Sequence, residues 1–142
     1  MTEAVHHPAH YQSGDGIEAI TVMEGLTGVE GNAFTAIKYI LRHQRKGRPA
    51  EDLAKARWYV DRLASTHVPR IPFREARVPV QALDRVALSF GLVGPARHAL
   101  EEIEAALSSV PEDRYRAYLR KASQALTRAI AKVESDERRA AG

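Results

Sequence analysis

The residues best suited to chemistry lie in a basic run, residues 38–48. Lys38, Arg42 and Arg45 recur at helical spacing, which predicts that they share one face of a helix, and Lys46 and Arg48 follow them. No acidic residue lies among these cations. Arginine offers paired N–H donors to phosphate oxygens, and lysine offers a compact point charge. The run therefore predicts a surface that binds a nucleotide or another phosphate-bearing small molecule.

Aromatic side chains lie close to these cations in the sequence. Trp58 is the only tryptophan of the chain, and the apolar spacing of its helix places it opposite the apolar face, among charged neighbours. Two interpretations fit such a residue: it packs against another part of the chain or another subunit, or it stacks on a planar ligand such as a nucleobase. In the second interpretation Trp58 or Tyr59 stacks the base, and His10 and Tyr11 close the site from the N-terminal segment.

The common catalytic and phosphate-binding motifs are missing from this sequence. It contains no G-x-x-x-x-G-K-[ST] loop, no serine nucleophile elbow and no cysteine. His6, His7 and His10 lie close together, but histidine-containing tails commonly bind ions without function, so we predict no metal site there. Phosphate binding of the ordinary P-loop kind and thiol chemistry are therefore excluded.

Composition indicates an ordinary folded protein. The 142 residues are 44% hydrophobic and 27% charged, with a net charge of +3, which is too small by itself to indicate a nucleic-acid-binding protein. No apolar run approaches the length needed to cross a bilayer, and the first residues lack an apolar signal core. We expect a cytoplasmic protein without a membrane partner.

Two apolar stripes predict a helical hairpin around the basic run. The first stripe contains Phe34, Ile37 and Leu41, and the second contains Leu53, Ala56, Val60 and Leu63. Gly47 suits the left-handed residue that ends a helix, and Pro49 suits the first residue of the next helix. The two stripes face each other in an αα-hairpin with the cations at its corner.

The rest of the chain is predicted to be helical, without any strand pattern. A proline-rich stretch, residues 67–79, separates an N-terminal unit, residues 1–66, from a C-terminal helical unit, residues 80–142. Three amphipathic patterns in the C-terminal unit predict a helical bundle. The predicted fold class is therefore all-α, and the surplus of apolar stripes predicts a homo-oligomer.

Several motifs resemble one protein family in order. They are His10-Tyr11-Gln12, Gly16-Ile17-Glu18-Ala19-Ile20, Ala36-Ile37-Lys38-Tyr39-Ile40-Leu41-Arg42, Lys46-Gly47, and Glu51-Asp52-Leu53 with Lys55-Ala56 and Trp58-Tyr59. Together they are similar to the SaV-like phage domain of unknown function, whose members are often labelled nucleotide kinase. The resemblance covers roughly residues 8–64, which is under half of the chain.

The resemblance implies a phage-type, nucleotide-kinase-like protein of the host cytoplasm. That label comes from a phage enzyme that phosphorylates deoxynucleoside monophosphates without a Walker motif. Such an activity would require ATP as the donor and Mg²⁺ beside the phosphates. Glu51 or Asp52 would then hold the Mg²⁺, while Lys38, Arg42, Arg45 and Lys46 clamp phosphate oxygens.

Three functions stay open on the sequence alone. The first is a phage-type enzyme that acts on nucleoside monophosphates, and the second is a nucleotide-binding protein without turnover, such as an anti-defence sponge for a host nucleotide signal. The third is a helical oligomerisation module in which Trp58 and the last helix form subunit contacts. We favour nucleotide binding over catalysis, and nucleic-acid binding through the same cations is less favoured because no helix-turn-helix spacing appears.

Overall fold

A computed structural model describes residues 31–45, 47–65, 82–108 and 111–142. These ranges contain five helices and no strand: α1 (Gly31–Arg42), α2 (Pro49–Ser65), α3 (Ala82–Ser89), α4 (Gly94–Leu107) and α5 (Glu112–Ala141). The predicted all-α fold class is therefore confirmed for the part of the chain that the structure describes.

The helical hairpin forms where the sequence predicts it. Gly47 has a φ of +88°, a left-handed conformation that is costly for a residue with a Cβ atom, and it lies in the turn between α1 and α2. Pro49 is the first residue of α2, where its missing N–H has no helical partner to lose. Glu51 and Asp52 lie in the first turn of α2, as the helix dipole favours.

Four helices form a ring of neighbours around one core. α1 packs along α2, α2 along α5, and α5 along α4, while a smaller contact between α4 and α1 closes the ring and α3 lies against α4. Two arginines form hydrogen bonds between α2 and α5. Arg57 Nη1 donates to Thr127 Oγ1 at 3.3 Å, and Arg116 Nη1 donates to the carbonyl oxygen of Ala64.

Both predicted stripes of the hairpin contribute to the core, although Phe34 is only partly buried. The buried apolar residues of all five helices belong to a single cluster, in which the largest fully buried side chain is Phe90. Helices from both predicted units therefore share a core. The predicted connector, residues 67–79, lies outside the described residues, so the division of the chain into units stays a prediction.

None of the helices that the structure describes is both long enough and apolar enough to span a bilayer. The predicted homo-oligomer and the predicted cytoplasmic location stay predictions.

Candidate functional site

Tyr39, on α1, lies at the centre of a cluster of aromatic and cationic side chains. Lys38 Nζ lies 5.1 Å from the centroid of the Tyr39 ring, and Arg42 Cζ lies 4.5 Å from it. Lys55 of α2 brings its Nζ to 5.6 Å from the same centroid. Three cations therefore surround one phenol ring, each within the distance over which a cation is attracted to an aromatic face.

Two aromatic residues of α2 extend this cluster to the surface. The Tyr59 ring stacks on the Tyr39 ring, with centroids 6.2 Å apart and an interplanar angle of 18°. Trp58 meets Tyr59 edge-on, with centroids 5.0 Å apart, and Trp58 is 60% exposed. We call the six residues Lys38, Tyr39, Arg42, Lys55, Trp58 and Tyr59 the aromatic–cation face.

Arg42 is the buried member of this face. Its side chain is 8% exposed, and its Nε lies 3.8 Å from Oδ2 of Asp52, whose side chain is 5% exposed. A buried arginine beside a buried carboxylate is far less costly than either charge alone, because each offsets the other's lost hydration. Asp52 therefore offsets part of the positive charge of Arg42 beside the Tyr39 ring.

Lys38, Arg48 and Lys55 differ in how far a carboxylate offsets their charge. Lys55 Nζ lies 3.4 Å from Glu51 Oε1, and Arg48 Nη1 lies 3.3 Å from Glu51 Oε2. Hydrogen bonds from Arg48 and Lys55 lower the pKa of the Glu51 carboxyl below its ordinary value. No carboxylate among the described residues lies within ion-pair distance of Lys38, so its charge is the one least offset by a partner.

His43 lies immediately after α1 and is 2% exposed. Its Nδ1 lies 2.6 Å from the carbonyl oxygen of Ile40, so the ring donates Nδ1–H to that oxygen. Burial lowers the pKa of His43, and the hydrogen bond to Ile40 and the charge of Asp52 oppose this shift. The imidazole is therefore favoured in its neutral form beside the Arg42–Asp52 pair.

The structure brings together only part of the predicted site. Lys38, Arg42, Trp58 and Tyr59 all belong to the aromatic–cation face, whereas Arg45 lies elsewhere, with its Cζ 5.5 Å from the Phe90 ring centroid. The reason is local: α1 ends at Arg42, so helical spacing no longer applies at Arg45. Lys46, His10 and Tyr11 lie outside the described residues, and their predicted roles stay predictions.

The two predicted Mg²⁺ ligands have different surroundings. Glu51 is exposed and engaged by two cations, whereas Asp52 is buried against Arg42. Within the described ranges no three histidine or acidic side chains are grouped so that they could hold a metal ion. Binding of Mg²⁺ by Glu51 or Asp52 stays a prediction.

Sequence reasoning missed Tyr39, Lys55 and His43 as members of this site. A signal for the first two was present: Tyr39 lies three residues before Arg42, and Lys55 lies three residues before Trp58, which is the spacing of side-chain neighbours on a helix. The burial of His43 depends on how the helices pack, and the sequence around it gives no such signal.

Comparison with known proteins places a family match on this part of the chain. A family model described as a protein of unknown function (DUF3310) matches residues 5–61, which include α1 and most of α2. The match confirms a domain of unknown function in the N-terminal part. It covers fewer than half of the 142 residues. No curated protein and no solved structure matches the chain.

Proposed function

We propose that this chain binds a nucleotide on the aromatic–cation face, with the base against Trp58 and the phosphate near Lys38 and Lys55. One observation carries the proposal: three cations lie within 5.6 Å of the Tyr39 ring centroid, and Tyr59 connects that ring to an exposed tryptophan. A nucleotide has the matching chemistry, because it joins a planar aromatic base to an anionic phosphate. The resemblance to a phage family supports the phage-type character of this proposal.

Trp58 supplies the stacking surface. Its indole is 60% exposed, although a large apolar side chain normally gains from burial. Its edge contact with Tyr59 restrains the ring. Stacking of a base on such a ring contributes roughly 1–3 kcal/mol to binding. This exposed side chain would therefore bury its apolar surface when a ligand binds.

Lys38 and Lys55 supply the charge for the phosphate. Lys38 is the less compensated of the two, whereas Lys55 shares Glu51 with Arg48. Arg42 is too deeply buried to contact a phosphate at the protein surface. It contributes through its position at the Tyr39 ring and its partly offset charge. We therefore assign the direct phosphate contact to the lysines.

Catalytic turnover requires more of this site than nucleotide binding does. A nucleoside monophosphate kinase would need Mg²⁺ beside the phosphates, and both candidate ligands, Glu51 and Asp52, already have cationic partners. We therefore propose nucleotide binding as the function. Phosphoryl transfer from ATP is an additional activity that the family resemblance suggests. Incubation with ATP, Mg²⁺ and each deoxynucleoside monophosphate distinguishes the two, since a sequestering protein returns the nucleotides unchanged.

Isothermal titration calorimetry of the full chain tests the proposal with the common nucleoside monophosphates, cyclic nucleotides, adenosine and ribose 5-phosphate as probes. We expect at least one nucleotide to bind, and Trp58→Ala and Lys38→Gln each to weaken it about tenfold, because each loses one stacking or one charge contact. Val93→Ala and Arg138→Gln are matched controls, since they alter an exposed apolar residue and an exposed cation outside the face.

The absence of heat with every nucleotide in the panel would overturn the proposal. Equal losses in the control variants would also overturn it, because the effect would then not belong to the aromatic–cation face.

The exposure of Trp58 also favours a second candidate function, the oligomerisation module. An aromatic side chain on the surface can complete its burial against a second copy of the chain. Sedimentation equilibrium distinguishes this function from the first. Under it, the native chain is oligomeric and Trp58→Ala is monomeric, whereas a monomeric native chain at high concentration contradicts it.

A further inference from the structure

The middle of α5 carries positively charged residues with no acidic residue among them. Residues 114–133 contain six cations and no acidic residue: Arg114, Arg116, Arg120, Lys121, Arg128 and Lys132. The acidic residues of α5 lie only near its two ends. The helix therefore has a long central segment whose side-chain charge has a single sign.

Five of these cations are exposed and follow the solvent side of α5: Arg114, Arg120, Lys121, Arg128 and Lys132. We call them the α5 basic stripe. Arg114, Lys121 and Arg128 are seven residues apart, so they lie close to one line, about 10 Å from one to the next along the helix axis. From Arg114 to Lys132 the stripe extends about 27 Å at 1.5 Å per residue.

The charges of the stripe have few partners in its N-terminal half. Lys132 Nζ pairs with Asp136 Oδ2 at 2.9 Å, and Arg128 Nη2 donates to His98 Nδ1 at 3.3 Å. In the described part of the chain, no carboxylate lies within ion-pair distance of Arg114, Arg120 or Lys121. Among the described residues, three exposed cations of the stripe therefore have no carboxylate partner, and Lys121 Nζ lies 5.5 Å from the Tyr118 ring centroid.

On α4, one of the two helices that α5 packs against, two carboxylates are paired within their own helix. Glu101 pairs with Arg97 at 3.3 Å, and Glu102 Oε1 lies 3.0 Å from His98 Nε2. Since Arg128 donates to His98 Nδ1, the His98 proton is on Nε2 and is donated to Glu102. Glu101 and Glu102 are thus already engaged by residues of their own helix.

We propose that the α5 basic stripe is a docking surface for the phosphate backbone of a nucleic acid. Charge complementarity carries the proposal, because a backbone presents a row of single negative charges over the same length, which for duplex DNA is about eight base pairs at 3.4 Å each. Backbone contacts of this kind carry no sequence information. The stripe therefore binds nucleic acid without sequence preference.

An acidic protein partner fits the stripe less well. Stable protein interfaces have an apolar core inside a polar rim. The large hydrophobic side chains that are exposed in the described residues are Trp58, Leu88 and Val93, and none of them lies on α5. A surface of cations without an exposed apolar centre suits a polyanion. The stripe also lies on a different helix from the aromatic–cation face of α1 and α2.

Fluorescence anisotropy of a labelled 24-base-pair duplex of mixed sequence, titrated with the full chain at several salt concentrations, tests this proposal. We expect binding whose logarithm falls linearly with the logarithm of the salt concentration. The double variant R120Q/K121Q lowers that slope by about two, one for each lost phosphate contact, and weakens binding about tenfold or more at low salt. Circular dichroism establishes that the variant is folded.

The matched control is R85Q/R138Q, which removes two exposed cations outside the stripe and changes the net charge equally. This control retains the slope of the native chain. The proposal is overturned if no duplex binds at low salt, if the control loses as much as R120Q/K121Q, or if polyglutamate binds more tightly than the duplex. The last result would assign the stripe to an acidic protein.

Discussion

His43 is a buried titratable side chain next to the candidate site. Burial lowers its pKa because the imidazolium would lose its hydration, even though the Ile40 carbonyl and the Asp52 charge favour the protonated form. The Nδ1–H bond to Ile40 also fixes the tautomer. The folded protein therefore holds His43 neutral at pH values where an unfolded chain would begin to protonate it, and this difference links pH to stability.

The sign of the link follows from the lowered pKa. The unfolded chain takes up a proton on His43 near its ordinary value of 6.5, and the folded chain does so only at lower pH. The contribution of His43 to the free energy of unfolding is therefore complete above pH 6.5 and falls as the pH is lowered toward the folded pKa. We expect a lower urea midpoint at about pH 5.5 than at about pH 7.5, and a smaller difference in His43→Asn, whose amide can still donate to Ile40.

The carboxyls of Glu51 and Asp136 do not interfere in this window, because their pKa values lie below ordinary values of 4.5 and 3.8. An unchanged pH dependence in His43→Asn would show that another group is responsible.

The candidate site could be predicted only where helical spacing applies. Lys38 and Arg42 share a face because both lie within α1, but Arg45 follows the helix end and turns toward Phe90. Asp52 was named only as a possible Mg²⁺ ligand that the resemblance implies, and its contact with Arg42 depends on the crossing of two helices. Sequence spacing describes one helix at a time and therefore cannot give contacts between helices.

The elements themselves were largely predictable, because each has a local cause. The second apolar stripe is buried at all of its positions. The short helix α3 ends just before Gly91, which has a φ of +74°. The pairing of α2 with α5 had no such local signal, since the hydrogen bonds between them join residues more than fifty positions apart, as in Arg116 to Ala64. The spacing of apolar residues predicts which face of each helix is buried. It does not predict which other helix packs against that face.

The turn between α1 and α2 provides a test of one local cause. Gly47 has a φ of +88° and no atom close to the place of a Cβ, so Gly47→Ala introduces backbone strain without a clash. We expect this variant to lower the free energy of unfolding by about 1–2 kcal/mol, the cost of a left-handed alanine. Urea denaturation at 25 °C measures it.

Gly31→Ala is the matched control, because Gly31 has equal space for a Cβ but no left-handed φ. We expect it to be neutral or slightly stabilising, since alanine favours the helix. A Gly47→Ala variant as stable as the Gly31→Ala variant would show that the turn adapts and that the glycine is not required there.

The described helices share a single apolar cluster, with α5 packed against both α2 and α4. A shared core favours cooperative unfolding, because exposing one helix removes the cover from its neighbours. Arg57 and Arg116 add polar contacts between α2 and α5. By this argument the predicted N-terminal and C-terminal units, although separated by a proline-rich connector in the sequence, would unfold together.

Leu126→Ala tests this cooperativity, because the substitution is on α5 and the fluorescence probe Trp58 is on α2. Leu126 lies on α5 and is fully buried, so its truncation should lower the free energy of unfolding by about 2–5 kcal/mol. Trp58 fluorescence reports on α2, and circular dichroism reports on all helices. If the core is shared, Leu126→Ala lowers both urea midpoints equally, while Leu88→Ala, at a residue 58% exposed, leaves both nearly unchanged. A Trp58 transition that stays in place while the dichroism transition moves would instead show two units that unfold independently.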